Sequence, residues 1–204
     1  MTTDTRKIAI DLAAFYDFGG RTVIDVGAGG GQLIDYAAGA RKVIAVDNDA
    51  AALARLADRV RERGLDDVFA LVNQDFLDVT TTADVVLFEF CLHLMTAPER
   101  ALAHARGLAS DVVVIGHAPG SPWSWSAAEE GGVEAAWKAV ERAGIRRQRD
   151  VTALQHFSDY AELETKLAGS GPDSLLRIQA RRGQADITIP MPYRLALVSR
   201  GGKG

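Results

Sequence analysis

One cysteine, Cys91, stands in a chain of 204 residues, so no internal disulfide can form and the fold must be held by its own core. Long apolar runs are missing too: none approaches the roughly 20 residues that a membrane-spanning helix needs. Positive charge is not in excess. Against 27 Asp and Glu stand 23 Lys and Arg, a formal net charge of -4, which gives no general attraction to nucleic acid or to an anionic membrane. The local basic groups at Arg146, Arg147 and Arg149 and at Arg181 and Arg182 are read as solvated faces. The opening "MTTDTRKIAIDLAAFYDF" carries acids and lacks the apolar centre of a signal peptide, and with the lone cysteine it sets the expectation of a cytoplasmic protein. Repeats, low-complexity tracts and linkers are absent, so residues 1–204 are expected to form one domain.

What is present is an ordinary globular composition, 48% hydrophobic and 25% charged, in a chain long enough to bury roughly 70% of its unfolded surface. From about residue 5 to 145, β-branched runs alternate with Ala- and Leu-rich helical patterns, which predicts a parallel sheet covered by helices. A leading helix over 6–15 precedes the strand "RTVIDV", and a glycine run then opens a helix "GQLIDYAAG". "KVIAVD" is the second strand, Asp49 caps a long helix ended by Gly64, and "DVFALVNQD" and "ADVVLFEF" supply strands three and four. Thr96, Pro98 and Glu99 read as a capping box for "PERALAHARGLA". "DVVVIGH" is a fifth strand, buried on both faces. Beyond it, "APGSPWSWS" reads as a loop, and a helix over 129–143 follows, closed by Gly144. After that come a possible strand "IRRQRDVTAL", a helix capped by Ser158, and a final antiparallel pair in which Pro190 and Pro192 mark an edge or a bend.

The segment "VIDVGAGGGQLI" joins a strand to a helix, the place where backbone approaches a nucleotide ligand. A dinucleotide dehydrogenase would need glycine at the sixth place of its fingerprint, where this chain has Gln32. The register that fits is an acid, an apolar residue and three alternate glycines: Asp25, then Gly27, Gly29 and Gly31. Asp47 ends the second strand 20 residues beyond Gly27, where a carboxylate can hold a ribose diol, with Asn48 beside it. Asp75 and Phe76 follow the third strand. Taken alone, Asp75 is as ordinary as any turn acid. In series, over about residues 20–118, these positions resemble the class I S-adenosylmethionine-dependent methyltransferases.

That resemblance implies an α/β fold. Its sheet is doubly wound, mostly parallel and seven-stranded, in order 3-2-1-4-5-7-6 with the last strand antiparallel, inside a Rossmann-like three-layer sandwich. It implies S-adenosyl-L-methionine as cofactor, held by Asp25, Gly27, Gly29, Gly31, Asp47, Asn48, Asp75 and Phe76, with Glu89 at the end of the fourth strand near its methionine end. Residues 1–19 would be an N-terminal helix, 20–118 the cofactor-binding half, and 119–204 the acceptor-side loop, helices and final strands. The acceptor would lie over strands four and five.

"VVLFEFCLHLM" carries no Asn/Asp-Pro-Pro-Tyr motif of nitrogen methylation on nucleic acid or protein. "GHAPG" replaces the Asp-Asn pair of the magnesium-dependent catechol-type enzymes, and one cysteine cannot serve a cysteine relay. A small organic acceptor remains, methylated on O or N, without nucleic acid or membrane as partner. His93 and His117 stand at the ends of strands four and five, where a group titrating near neutrality can take a proton; an equally good reading has them only position substrate. Glu89, Trp123, Trp125, Tyr16 and His156 are the further candidates for substrate contact, with bland packing the alternative for one of the tryptophans. Cys91 reads as a small buried filler. Glu89, Cys91, His93, His117 and His156 match no zinc spacing, so no metal is expected. Same-fold chemistry other than methyl transfer, and a non-catalytic cofactor-binding module, stay open.

Overall fold

The computed structural model describes residues 2–198. Its elements are β1 (Thr2–Thr3), α1 (Thr5–Phe15), β2 (Thr22–Val26), β3 (Lys42–Asp47), α2 (Ala50–Glu62), β4 (Phe69–Asn73), β5 (Ala83–Glu89), α3 (Pro98–Leu108), β6 (Ala109–His117), α4 (Pro122–Ser126), α5 (Glu130–Ala143), β7 (Ile145–Asp159), α6 (Tyr160–Leu167), α7 (Pro172–Ile178) and β8 (Ala185–Val198). All eight strands form one sheet in the order β1-β7-β8-β6-β5-β2-β3-β4. Counted without β1 this is the expected 3-2-1-4-5-7-6, with β8 antiparallel to both β6 and β7. The addition is β1, which pairs antiparallel with β7 at the outer edge.

Strand periodicity sorts the core into two layers. Val23, Val43, Val85, Leu87, Val113 and Ile115 face α1, the start of α2's apolar stripe and the α6–α7 region. Their neighbours Ile24, Ile44, Val86, Phe88, Val112 and Val114 face α3 and α5. Burial on both faces explains why these strands read as continuous apolar runs.

Local signals place the boundaries, and several differ from expectation. Asp49 caps α2 by accepting from the amides of Ala51 and Ala52, and Gly64 ends it at φ +64°. The helix expected after the glycine run is a single 3-10 turn, Ile34–Ala37, squeezed between Gly31 and Gly39, both at positive φ. No capping box opens α3: Ala97 takes the cap position without a side-chain bond, and Pro98 begins the helix. Asp159, not Ser158, caps α6 by accepting from the Glu162 amide, while Ser158 donates to the Glu162 carboxylate. The "PWSWS" segment, expected as loop, is the short helix α4.

Pro190 and Pro192 lie inside β8, opposite Leu154 and Thr152 of β7. The contradiction with proline's missing donor is resolved by register. β6 ends at His117, opposite Tyr193. Beyond that point β8 has only β7 as a ladder partner, and prolines are tolerated there. The β7–β8 pair thus runs past the carboxyl edge of the sheet as an arm. Ala153, Phe157, Ile187, Ile189 and Met191 turn from it into a small core with Trp123, Leu163, Leu167 and Ile178. The arm and helices α4, α6 and α7 cap the carboxyl end of β6.

Candidate functional site

The glycine loop leaves β2 with Gly27, Gly29 and Gly31 at φ +68°, +54° and +72°. A Cβ on Gly27 would stand 2.3 Å from Cys91 Cβ, and one on Gly31 2.6 Å from Leu56. Glycine is therefore required twice over, by backbone sign and by close approach. Cys91 is the reason at Gly27: its thiol is buried, donates to the Val26 carbonyl at 3.0 Å, and fills the space behind the loop. Asp47 closes the loop from β3. One of its oxygens accepts from the Gly29 amide and the other from the Asp49 amide, both at 2.9 Å. Lone pairs remain on both oxygens for further donors. Asn48 is exposed beside it.

Behind the loop, Asp25 is 1% exposed. One oxygen accepts from the Tyr36 hydroxyl at 2.8 Å, and Oδ1 is buried with no hydrogen-bond partner among the described residues. Glu89 is also buried, two residues past Leu87, which pairs with Asp25, and on the same sheet face. Burial pushes both carboxyls well above the usual carboxylate range, and the two charges oppose each other's ionisation. Directly after Glu89 the chain breaks from the sheet at Phe90, a non-glycine residue at φ +49°. The opening "VVLFEF" is thus buried strand to Glu89, and then a wall of the cleft.

Asp75 is exposed at the end of β4 and caps the turn Phe76–Asp78 by accepting from the Leu77 amide. Phe76 is buried edge-on against Phe88 and beside His104. Its ring belongs to the core below the loop.

Three polar groups gather beyond the ends of β5 and β6. His93 sits in the turn Leu92–Leu94 beyond β5, and His117 ends β6; their rings meet edge to face at 5.4 Å. Glu129, the residue before α5, brings its Oε2 to 3.4 Å from His93 Nε2. Burial, and secondarily His93, lowers the His117 pKa to about 4, against the opposing pull of Glu129. Glu129 was missing from the sequence reading. Its signal is Gly132, where a Cβ would lie 2.3 Å from the His93 carbonyl oxygen: only glycine lets α5 close on this turn. Trp137, further along α5, donates to the His117 carbonyl at 2.6 Å.

Other expected contacts lie elsewhere. Tyr16 is buried with its hydroxyl on Asp111, at the amino end of β6 and six residues, roughly 20 Å of strand, from His117. It braces α1 against the sheet. Trp123 stacks on Phe157 in the cap core, whereas Trp125 is 52% exposed under the Arg177 guanidinium. His156 is exposed on the arm, bonded to Thr188. Neither Trp123 nor Tyr16 is free to meet a substrate.

The geometry is that of an α/β sheet with a glycine loop closed by Asp47, a buried acidic pair, and a histidine–glutamate group beyond the ends of β5 and β6. Residues 23–110 match the family described as methyltransferase domain. With the strand order and the glycine-loop acids, the matched residues are a methyltransferase domain of the class I S-adenosylmethionine-dependent type, whose cofactor is S-adenosylmethionine. No curated protein matches its sequence. Among solved structures, the YcgJ protein from Bacillus subtilis has a TM-score of 0.70 at 12% identity, over 97% of this chain and 100% of that one. The magnesium protoporphyrin IX methyltransferase from Synechocystis PCC 6803, solved with bound SAH, gives 0.59 at 16%, over 96% and 82%. The [4+2]-cyclase SpnF gives 0.67 at 18%, over 96% and 81%. Identities this low establish a shared fold. No described helix is long and apolar enough to cross a membrane.

The residues present fit the cofactor. Three positive-φ glycines keep the loop free of side chains, Asp47 retains lone pairs beside the Gly29 amide, and Asp25 Oδ1 has no hydrogen-bond partner among the described residues.

Proposed function

We propose that the chain methylates an oxygen or nitrogen of a small organic molecule. The observation that carries this reading is the His93–His117–Glu129 group, with His117 buried and the other two partly so, gathered beyond the ends of β5 and β6. The cofactor supplies a methyl group on a sulfonium. Asp47, Asp75 and the loop amides hold its nucleoside, and Asp25 and Glu89 face its charged end. His93 and His117 take up the acceptor's proton, with Glu129 orienting His93. Trp125, exposed at the rim, lines the entrance. A closed, partly apolar cap suits a small acceptor better than a polymer, as does a net charge of -4. The lone reduced cysteine and the same charge support a cytoplasmic protein working as one domain.

Two measurements test this. Asp47→Ala should weaken S-adenosylmethionine binding in calorimetry by about 100-fold, since charge-assisted hydrogen bonds of roughly 1.5–3 kcal/mol are lost. Unchanged affinity would remove Asp47 from the site. Incubation with cofactor and fractionated small-molecule extract should form S-adenosylhomocysteine and a product heavier by one methylene. Tight cofactor binding with no S-adenosylhomocysteine from any fraction would overturn methyl transfer, in favour of other cofactor-dependent chemistry or a binding module.

A further inference from the structure

We propose that His93, His117 and Glu129 form a binding site for a divalent transition metal of the zinc class. Each offers one ligand atom, and these atoms all lie within 4.8 Å of one another. The His93 Nε2 to Glu129 Oε2 distance of 3.4 Å is already that between neighbouring ligands about a metal with bonds of roughly 2.0–2.1 Å. The remaining contraction, from at most 4.8 Å to 3.4 Å, is no more than 1.4 Å, within reach of side-chain rotation.

Three further observations point to a ligand. The His117 side chain belongs to a residue only 7% exposed, yet its Nδ1 is buried without a hydrogen-bond partner among the described residues. A buried donor or acceptor left in that state is an exception that calls for a partner. The three groups come from separate elements, and each backbone is fixed. Trp137 holds the His117 carbonyl, Gly132 lets α5 seat against the His93 carbonyl, and the Glu129 amide donates to the Ser124 carbonyl. Exposure is also graded, from a 6% exposed His93 side chain to a 26% exposed Glu129 side chain, so solvent reaches the group from the Glu129 side. Two imidazoles and one carboxylate, with one direction open, are the donor set of zinc sites that keep a place for a small ligand. Sequence spacing concealed the set, because Glu129 lies 36 residues beyond His93 and in another element.

Where the acceptor lies as proposed above, the open position would take its oxygen or nitrogen and favour its deprotonated form, with the proton passing to water. With metal bound the histidines act as ligands, and this replaces the direct proton uptake proposed for the metal-free group. This use rests on the proposed methyl transfer; metal binding does not.

The test is equilibrium dialysis of chelator-treated full chain against zinc, read by elemental analysis, with cobalt(II) absorption as a second probe. The expected result is about one zinc per chain, raised thermal stability, and a cobalt spectrum without thiolate charge transfer. His93→Gln and Glu129→Gln should each weaken zinc binding by more than about 10-fold while leaving circular dichroism and S-adenosylmethionine affinity unchanged. His117→Ala, a buried change that can unfold the chain, is only a supporting variant. Absence of zinc at micromolar free metal, or stoichiometric zinc that both conservative variants retain, overturns the site. Zinc bound as expected with no S-adenosylhomocysteine formed would leave the metal site standing and remove the methyl-transfer reading.

Discussion

Gly27→Ala should lower the midpoint of thermal unfolding by roughly 10 °C and abolish measurable cofactor binding. Two costs add. A non-glycine residue at φ +68° pays about 1–2 kcal/mol of backbone strain. The new Cβ also overlaps Cys91 Cβ at 2.3 Å and Sγ at 2.8 Å, an overpacking cost of about 1–3 kcal/mol. For a chain of this size each kcal/mol moves the midpoint by roughly 2–4 °C. The clash cannot be relieved by rotation, since the Cys91 Cβ does not move with its side-chain torsion and the thiol is held by its bond to Val26. A double-mutant cycle isolates the cause. Cys91→Gly removes both clashing atoms and leaves Cys91 Cα 3.8 Å from the added carbon. Gly27→Ala combined with Cys91→Gly should therefore recover most of the steric part, leaving the strain. An additive double mutant would show that the two residues do not interact as described.

The strands, and the acids and glycines at their ends, were legible because their signals are local. Continuous Val and Ile mark strands buried on both faces, and Asp49 and Gly64 mark helix ends by hydrogen bonding and by positive φ. Asp25, the three glycines and Asp47 are adjacent to strand ends that the pattern itself locates. What was not legible depends on register between distant segments. Nothing near Pro190 shows that β6 stops short of it, and only that mismatch turns β7–β8 into an arm. Trp123 looked like a pocket residue because it and Trp125 flank Ser124 in the segment after the fifth strand, yet Phe157, 34 residues on, takes its face. Tyr16 was expected over the site from its position before β2. Helix α1, however, runs from the carboxyl toward the amino edge: Asp11 meets Tyr193 opposite His117, and Tyr16 meets Asp111. The histidine–glutamate group was legible by half, since His117 ends β6 and His93 stands just beyond β5, while Glu129 arrives from a helix start.

The affinity for S-adenosylmethionine should rise with pH from about 5.5 to 8.5, by up to tenfold per unit for each proton released. Asp25 and Glu89 share one face of adjacent strands, and burial holds both above their usual range, with Asp47 opposing Asp25's ionisation further. The groups facing them are Tyr36, which donates to Asp25, and the Cys91 thiol, itself pushed up by burial and by these acids. None is a cation. A cofactor with a sulfonium and an ammonium group brings the missing positive charge, so it prefers the ionised pair and expels protons on binding. The free protein shows the opposite slope. A folded value raised above the unfolded one contributes stability below the unfolded pKa, and that contribution is lost as pH rises through the folded value. Asp25 and Glu89 should therefore make the cofactor-free protein less stable as pH climbs from the acidic range toward neutrality, and Glu89→Gln should flatten both slopes. Calorimetry in buffers of different ionisation enthalpy reads the released protons directly. S-adenosylhomocysteine, which lacks the sulfonium, should release fewer. A pH-independent affinity with no buffer dependence would mean that the buried pair is neutral in both states, and that the positive end of the cofactor is balanced elsewhere.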